Sequence, residues 1–366
     1  RTTNLMQLTN WCRDVGAKLT DLKLDPDEVL RGTLVPQMVT ERPEKTPISV
    51  EWPDVFYKEP EKLFAFQIGN ETFYPHNAEL QLVTPTDSGP LNFEIAADLV
   101  TAQFCLALCN KNGVPDYTIE PLGRKEAIIR YRGRAMQVQE FFDEHPPVFW
   151  FADGSSLSGN EYVELRNKPS PFPIERIDEL DWTGTNIRCE SQGVAKDQTS
   201  IQHRVIRELR QKSFPVLFDD DGKGESADVV GIREQVDHIE VEFWHCKFSS
   251  MDHPGSRVKD LYELCGQAQK SVRWLEKPRD LFTHLLRREP LRLKDTECTR
   301  YEVGNERDLL RIREKTDSQR VLLRVFIVQP GISKSAVSRE QLELLAVTEN
   351  YLLETFAVPF GVVANA

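Results

Sequence analysis

Short apolar and aromatic runs separated by turn residues fill the first part of the chain, to about Leu165. Leu63-Phe64-Ala65-Phe66-Gln67-Ile68 followed by Gly69-Asn70 has the form of a strand entering a hairpin. Ala78 to Val83 and Ala127 to Tyr131 predict further strands, and Phe149 to Ala152 predicts one that closes in the turn Asp153-Gly154-Ser155. Ile95 to Leu108 is apolar on nearly every side, which predicts a buried helix. The run Lys168-Pro169-Ser170-Pro171-Phe172-Pro173 then predicts a stiff, extended connector.

Beyond it the pattern is clearer. Ser200 to Gln211 predicts a helix, with Thr199 or Ser200 as N-cap. Phe214 to Phe218 predicts a strand that ends in the turn Asp219-Asp220-Asp221-Gly222, and Ala227 to Ile232 and His238 to Phe248 predict a second and a third. Leu261, Leu264, Cys265, Ala268, Val272 and Leu275 form the apolar stripe of a helix over Val258 to Leu275. An irregular charged stretch follows, then a buried strand over Arg320 to Val328 and a closing helix over Ser338 to Thr355. The fold class expected is α/β (α+β) in two domains. A β-rich mixed domain spans residues 1–168, a connector 169–198, and an αβββαβ unit with a mixed sheet 199–366.

A length of 366 residues is enough for two cores. No run approaches the roughly 18 apolar residues of a membrane span, and Arg1-Thr2-Thr3-Asn4-Leu5 has no apolar stretch typical of a signal peptide. The absence of an initial Met fits either a piece of a longer polypeptide or a processed terminus. Seven cysteines are scattered without a CxxC pair, which argues against disulfides and a zinc knuckle and fits a reducing cytoplasm. Cys105 and Cys109, one helical turn apart, are expected in the core. A net charge of −12 opposes non-specific attraction to nucleic acid, so any such contact requires a local basic patch or another protein.

Two segments carry the candidate chemistry. Gly224-Glu225-Ser226-Ala227-Asp228 places an acid at the head of the second strand, and Lys247 ends the third. Metal-assisted cleavage of a phosphodiester needs acidic oxygens to hold a divalent ion and a cation near the developing charge. Strand alternation puts His245, Phe243, Val241 and Ile239 on the face of Lys247, and Glu240, Glu242, Trp244 and Cys246 on the other. Cys246 beside His245 is therefore no nucleophile–base dyad. The chain lacks GxxxxGK[ST], GxSxG and HExxH.

The order of elements and the pairing of Asp228 with His245-Cys246-Lys247 resemble the PD-(D/E)XK nuclease superfamily over about residues 200–360. Gly224 to Asp228, His245 to Ser249 and Tyr262 to Gln269 are similar to nuclease modules attached to large bacterial helicases and phage-defence proteins. The resemblance implies a cytoplasmic nuclease that cuts DNA with Mg2+ or Mn2+, beside a helicase or ATPase, fused or separate. It implies Asp228 as metal ligand and Lys247 as catalytic lysine. His245 stands where the family has Asp or Glu, leaving His245 itself, Glu225 or Glu242 to complete the metal shell. Glu208 matches the acid on the family's first helix, which implies it as a further catalytic residue and metal ligand, with Gln202 nearby in the apolar stripe, and Gln267 matches a catalytic glutamine that reaches the active site in some branches.

Between Lys270 and Lys294 eight basic residues stand against three acids, which makes this stretch the best candidate for phosphate contacts. Lys270, Arg273 and Arg257 are the nucleic-acid-binding candidates. The alternative expectation is a degenerate nuclease fold that binds nucleic acid or docks a helicase without cutting.

Overall fold

In a computed structural model of the chain, residues 4–21, 23–24, 36–83, 88–97, 100–123, 125–164, 169–275 and 277–366 are described. The protein is mixed α and β, with several sheets. Among the described residues no helix is long and apolar enough to cross a membrane.

The largest sheet has seven strands. We label these β1 (Ile177–Glu179), β2 (Val216–Asp219), β3 (Val229–Glu234), β4 (His238–Cys246), β5 (Tyr301–Val303), β6 (Arg320–Ser333) and β7 (Phe360–Asn365). Their spatial order is β1-β7-β6-β4-β3-β2-β5. β1, β7, β6 and β4 run parallel in succession, whereas β4-β3, β3-β2 and β2-β5 are antiparallel. The helices around it are α1 (Ile201–Leu209), α2 (Lys259–Lys270), α3 (Pro278–Thr296), α4 (Glu306–Lys315) and α5 (Arg339–Asn350).

β4 shows why this sheet is covered on both faces. Ile239, Val241 and Phe243 pack in one apolar cluster with Leu261, Leu264, Cys265 and Ala268 of α2. Trp244 and Cys246 pack in another with Ile201, Val205, Ile206 and Leu209 of α1. Period-two alternation thus matches two helical stripes on opposite sides. Ser200 caps α1 by accepting from the His203 N–H at 3.2 Å. The element order α1-β2-β3-β4-α2, followed after α3, β5 and α4 by β6, contains the expected succession.

The preceding region carries three smaller sheets. Phe64–Ile68 pairs with Glu71–Phe73 through Gly69, whose φ of 60° is the left-handed value a tight turn needs. An aromatic cluster drawn from Val50 to Tyr162 fills this region, while Ile48 and Trp150 pack into the α2 cluster instead.

Several expectations are overturned. Ile95–Leu108 is not a helix: Leu91–Ala97 and Thr101–Lys111 are neighbouring antiparallel strands. Ala102, Phe104 and Leu106 are buried while Gln103 is exposed, so the true period is two. Cys105 and Cys109 lie on the less buried face of that strand rather than in the core. The charged stretch after α2 is not irregular. It forms α3 and α4, with Leu281, Phe282, Leu285, Arg288 and Glu289 as the buried stripe of α3 despite Pro290 within it. β6 runs five residues past Val328, and β7 follows where no strand was expected. The closing helix does reach Thr355 as expected, its α-helical part ending at Asn350 and a π-helical stretch continuing over Tyr351–Thr355. In the connector, Phe172, Ile177 and Trp182 are buried and β1 joins the sheet edge; residues 165–168 lie outside the described residues.

Candidate metal and phosphodiester site

Asp228 lies immediately before β3, where Val229 pairs with Trp244 of β4. Its Oδ2 accepts the Cys246 backbone N–H at 2.8 Å, so the neighbouring strand orients the carboxylate. The loop between β2 and β3 adds Asp221 and Glu225, and one carboxylate oxygen from each of the three lies within 4.8 Å of the others. The loop folds back because Gly222 and Gly224 take φ values of 115° and 80°. Gly222 N–H then donates to Glu225 Oε2 at 2.9 Å.

The three consecutive aspartates at the end of β2 and the start of this loop have different fates. Asp219 is fully buried and neutralised by Arg292 at 2.9 Å and Lys196 at 3.1 Å. Asp220 is bound by Arg288 and by the backbone and hydroxyl of Ser226, and its pKa is driven down: burial pushes up, but the charges of Arg288 and His284 outweigh it. Asp221 accepts from the Ser191 hydroxyl and turns towards Glu225 and Asp228. Burial raises the pKa of Asp228, and the charges of Asp221 and Glu190 raise it further. Burial likewise raises Glu225, reinforced by Asp228 and Asp221. Three carboxylates that disfavour one another's charge at close range form an arrangement that a cation relieves. An all-oxygen donor set suits a hard divalent ion.

Lys247 follows β4, with its backbone N–H donating to the Val328 carbonyl at 3.1 Å. Its Nζ lies 2.7 Å from Glu263 Oε1 and 3.3 Å from Glu190 Oε2. Burial lowers its pKa, but the charges of Glu263 and Glu190 outweigh this and hold it above the ordinary lysine value. Glu190 also accepts the Phe248 N–H at 3.0 Å, so the connector reaches the end of β4.

The other expected residues divide. Gln202 is fully buried behind the cluster and donates from Nε2 to Asp219 Oδ1 and to the Asp228 carbonyl, both at 3.0 Å. Gln267 donates to Glu225 Oε1 at 3.5 Å. Glu208 instead pairs with Arg204 on the flank of α1. His245 lies on the α2 side of β4, bonded to Ser271 at 2.8 Å and outside the carboxylate cluster. Burial, together with Arg273 and Lys270, lowers its pKa to about 3, so the ring is neutral. Glu242 binds Arg233 and Trp244, also away from the cluster. Arg257 is held by Asp260, Ser249 and the His253 carbonyl.

The basic stretch is largely consumed internally. Arg288 and Arg292 neutralise Asp220 and Asp219, Arg287 binds Glu61, Arg279 binds Asp317, and Lys277 binds the Lys58 carbonyl. It is therefore no open phosphate-contacting face. Lys270 and Arg273 line a cavity beside Glu225, as Lys277 and Arg287 do, but differ from these in having no carboxylate within ion-pair distance among the described residues.

Asp221 and Glu190 are the site residues that sequence reasoning missed. Asp221 reads as part of a polar turn, and Glu190 approaches Lys247 from 57 residues away. No family model, curated protein or solved structure matches the chain.

Proposed function

We propose that the protein is a metal-dependent nuclease of the PD-(D/E)XK type, cutting DNA beside Asp221, Glu225, Asp228 and Lys247. The observation that carries this reading is the convergence of three carboxylates within 4.8 Å at the head of β3, with a lysine at the end of the adjacent strand. The restriction-endonuclease-like identity of the αβββαβ succession belongs to the same proposal. So do the division into units 1–168 and 199–366, and the pairing with a helicase or ATPase in phage defence.

Asp221, Glu225 and Asp228 would hold Mg2+ or Mn2+, which when bound supplies positive charge to the phosphate and lowers the pKa of a water. Asp228 is preset for this by the Cys246 N–H. Lys247 carries a proton at neutral pH and offers Nζ to a phosphate oxygen, stabilising the charge that grows there. Glu190 and Glu263 fix where that ammonium points. Gln202 holds the strand entry from behind by binding the Asp228 carbonyl.

Incubation with plasmid, linear and single-stranded DNA and with RNA, in Mg2+ or Mn2+, tests the proposal. Cleavage is expected only with metal, and is lost in Lys247→Ala while the protein stays folded. Inert wild-type protein on every substrate would refute it. A second reading, a binding module that no longer cuts, draws on His245 in the acid's place and on the two carboxylates that engage Lys247. It expects metal-independent DNA binding that survives Asp228→Ala.

A further inference from the structure

A cavity of about 750 Å3 lies between the strands Pro47–Glu51 and Ala78–Leu82 on one side and α2 and α3 on the other. This is the size range of small-molecule sites. Gly224, Glu225 and Ser226 form part of its wall, so it borders the carboxylate cluster.

The wall combines cations and carboxylates with neutral polar groups and flat rings. Lys270 makes no hydrogen bond or ion pair among the described residues. The Arg273 guanidinium lies 5.5 Å from the Tyr57 ring centre and 4.9 Å from that of Trp274. Its hydrogen bonds, to Tyr57 Oη at 3.4 Å and the Glu225 carbonyl at 3.3 Å, are long. The Ser271 hydroxyl donates to the Gln267 carbonyl at 3.1 Å. It can therefore only accept from His245, which places the ring proton on Nε2 and leaves Nδ1 a lone pair. Among the described residues, that Nδ1, Gln267 Oε1, Trp274 Nε1 and Ser49 Oγ are buried without a partner, and all four residues line this cavity. Buried polar atoms ordinarily find partners, and four orphans around one space point to a polar occupant. Glu51, Glu61, Glu79, Glu225 and Glu263 also line the cavity, and the charges of Glu51 and Glu79 act on Lys270, but these carboxylates are partly committed, Glu263 to Lys247. Glu61 is bound by His76 and Arg287, and Glu51 accepts from Trp150 Nε1 at 3.2 Å.

We propose that this cavity binds one nucleotide unit, its phosphate at Lys270 and Arg273 and its base beside Trp274, Gln267 and His245. Phosphate, planar ring and ring-edge donors and acceptors are what these groups complement together. The proposal takes its direction from the nuclease reading, because the cavity adjoins the carboxylates, yet the binding itself requires neither metal nor cleavage. The unit has two sources, a free mononucleotide or a nucleotide of a substrate strand.

The test is binding in EDTA, read by tryptophan fluorescence and calorimetry, with 5′-dAMP, deoxyadenosine, inorganic phosphate and a short oligo-dA strand. Saturable binding of dAMP, tighter than that of deoxyadenosine or phosphate, is expected. Lys270→Met and Trp274→Leu, checked for folding by circular dichroism, should each weaken it about tenfold or more. Oligo-dA binding tighter than dAMP assigns the strand as the source; the reverse order assigns a free nucleotide. Folded wild-type protein that binds neither, or that binds dAMP no better than phosphate, overturns the proposal, as does binding unchanged in Lys270→Met. Cleavage without nucleotide binding removes this inference alone. Nucleotide binding without cleavage removes the nuclease reading alone.

Discussion

Asp228 and Cys246 are joined across two strands by a single 2.8 Å hydrogen bond from backbone N–H to carboxylate, one residue before Lys247. The acid of β3 and the lysine after β4 are therefore set by the same stretch of antiparallel ladder, and neither relies on a flexible loop for its position. Its partners Asp221 and Glu225, by contrast, come from a loop held by glycines and an arginine.

If the three carboxylates hold a divalent ion, metal should stabilise the folded protein. At about 100 times the dissociation constant, binding adds about 2.7 kcal/mol. Scanning calorimetry should show a rise in Tm with MnCl2 for wild type. Asp228→Asn should lose most of that rise, and an equal rise in the variant would place the ion elsewhere.

The same cluster sets a pH dependence. Burial raises the pKa values of Asp228, Glu225 and Asp221 in the folded state, and neighbouring carboxylates, Asp219 in the case of Asp221, raise them further. In the unfolded chain such groups titrate near about 4. The folded state binds more protons, so this contribution to stability is full below the unfolded value and is lost as pH rises through the raised ones. Metal-free wild type should lose more Tm between about pH 5 and 8 than a variant carrying Asp221→Asn, Glu225→Gln and Asp228→Asn. Parallel Tm profiles for the two would contradict the assigned clustering.

Gln202 and Glu208 sit on the same short helix and should respond differently. Gln202→Leu removes a buried amide that satisfies Asp219 and the Asp228 carbonyl. Leaving those acceptors unpaired should cost about 1–3 kcal/mol in urea denaturation. Glu208→Ala breaks only a half-exposed pair with Arg204 and should stay within about 0.5 kcal/mol. Equal costs would mean that Gln202 does not hold the cluster.

Placing an acid at position 245, as the proposed superfamily reading would have it, should not help. His245 is neutral and packed against Ser271 and Phe243, so His245→Asp buries a carboxylate whose desolvation the charges of Arg273 and Lys270 offset only in part. Chemical denaturation should show a loss of about 1–3 kcal/mol, with no gain in cleavage. A gain in activity would show that position 245 belongs to the reacting centre after all.

Lys247 supplies a test through its neighbour. Glu263 raises the lysine pKa, so Glu263→Gln should move the alkaline limb of the cleavage–pH profile to lower pH. Lys247→Met should reduce the rate by about a hundredfold or more without removing the metal-induced rise in Tm. An unmoved alkaline limb would detach that limb from Lys247.

The alternation of β4 was readable because its two faces meet two different helices, and it placed His245 and Trp244 on opposite sides correctly. Ile95–Leu108 was misread because small residues such as Ala96, Ala97 and Ala102 make both strand faces apolar, which hides a period of two. Charge masked α3: its stripe includes Arg288 and Glu289, which are buried only because Asp220 and the Arg300 backbone receive them. Asp221 and Glu190 could not be found by local pattern, since what brings them to Asp228 and Lys247 is loop closure. The resemblance implied an acid at 245, on β4, whereas the additional carboxylates come from the loop before β3 and from the connector.

Arg288 donates to Asp220, to the Gly222 and Lys223 carbonyls, and to the His76 carbonyl of the N-terminal region. Gly224 passes so close to that same carbonyl that no larger residue fits. The acidic loop is thus a seam stitched from both sides, and its shape is a property of the entire chain. A displacement of the His76 turn would be felt at Glu225 before it reached any strand of the large sheet. That gives the otherwise motif-free first half a lever on the carboxylates, and it means that grafting residues 199–366 alone onto another protein would transplant those acids without the frame that spaces them.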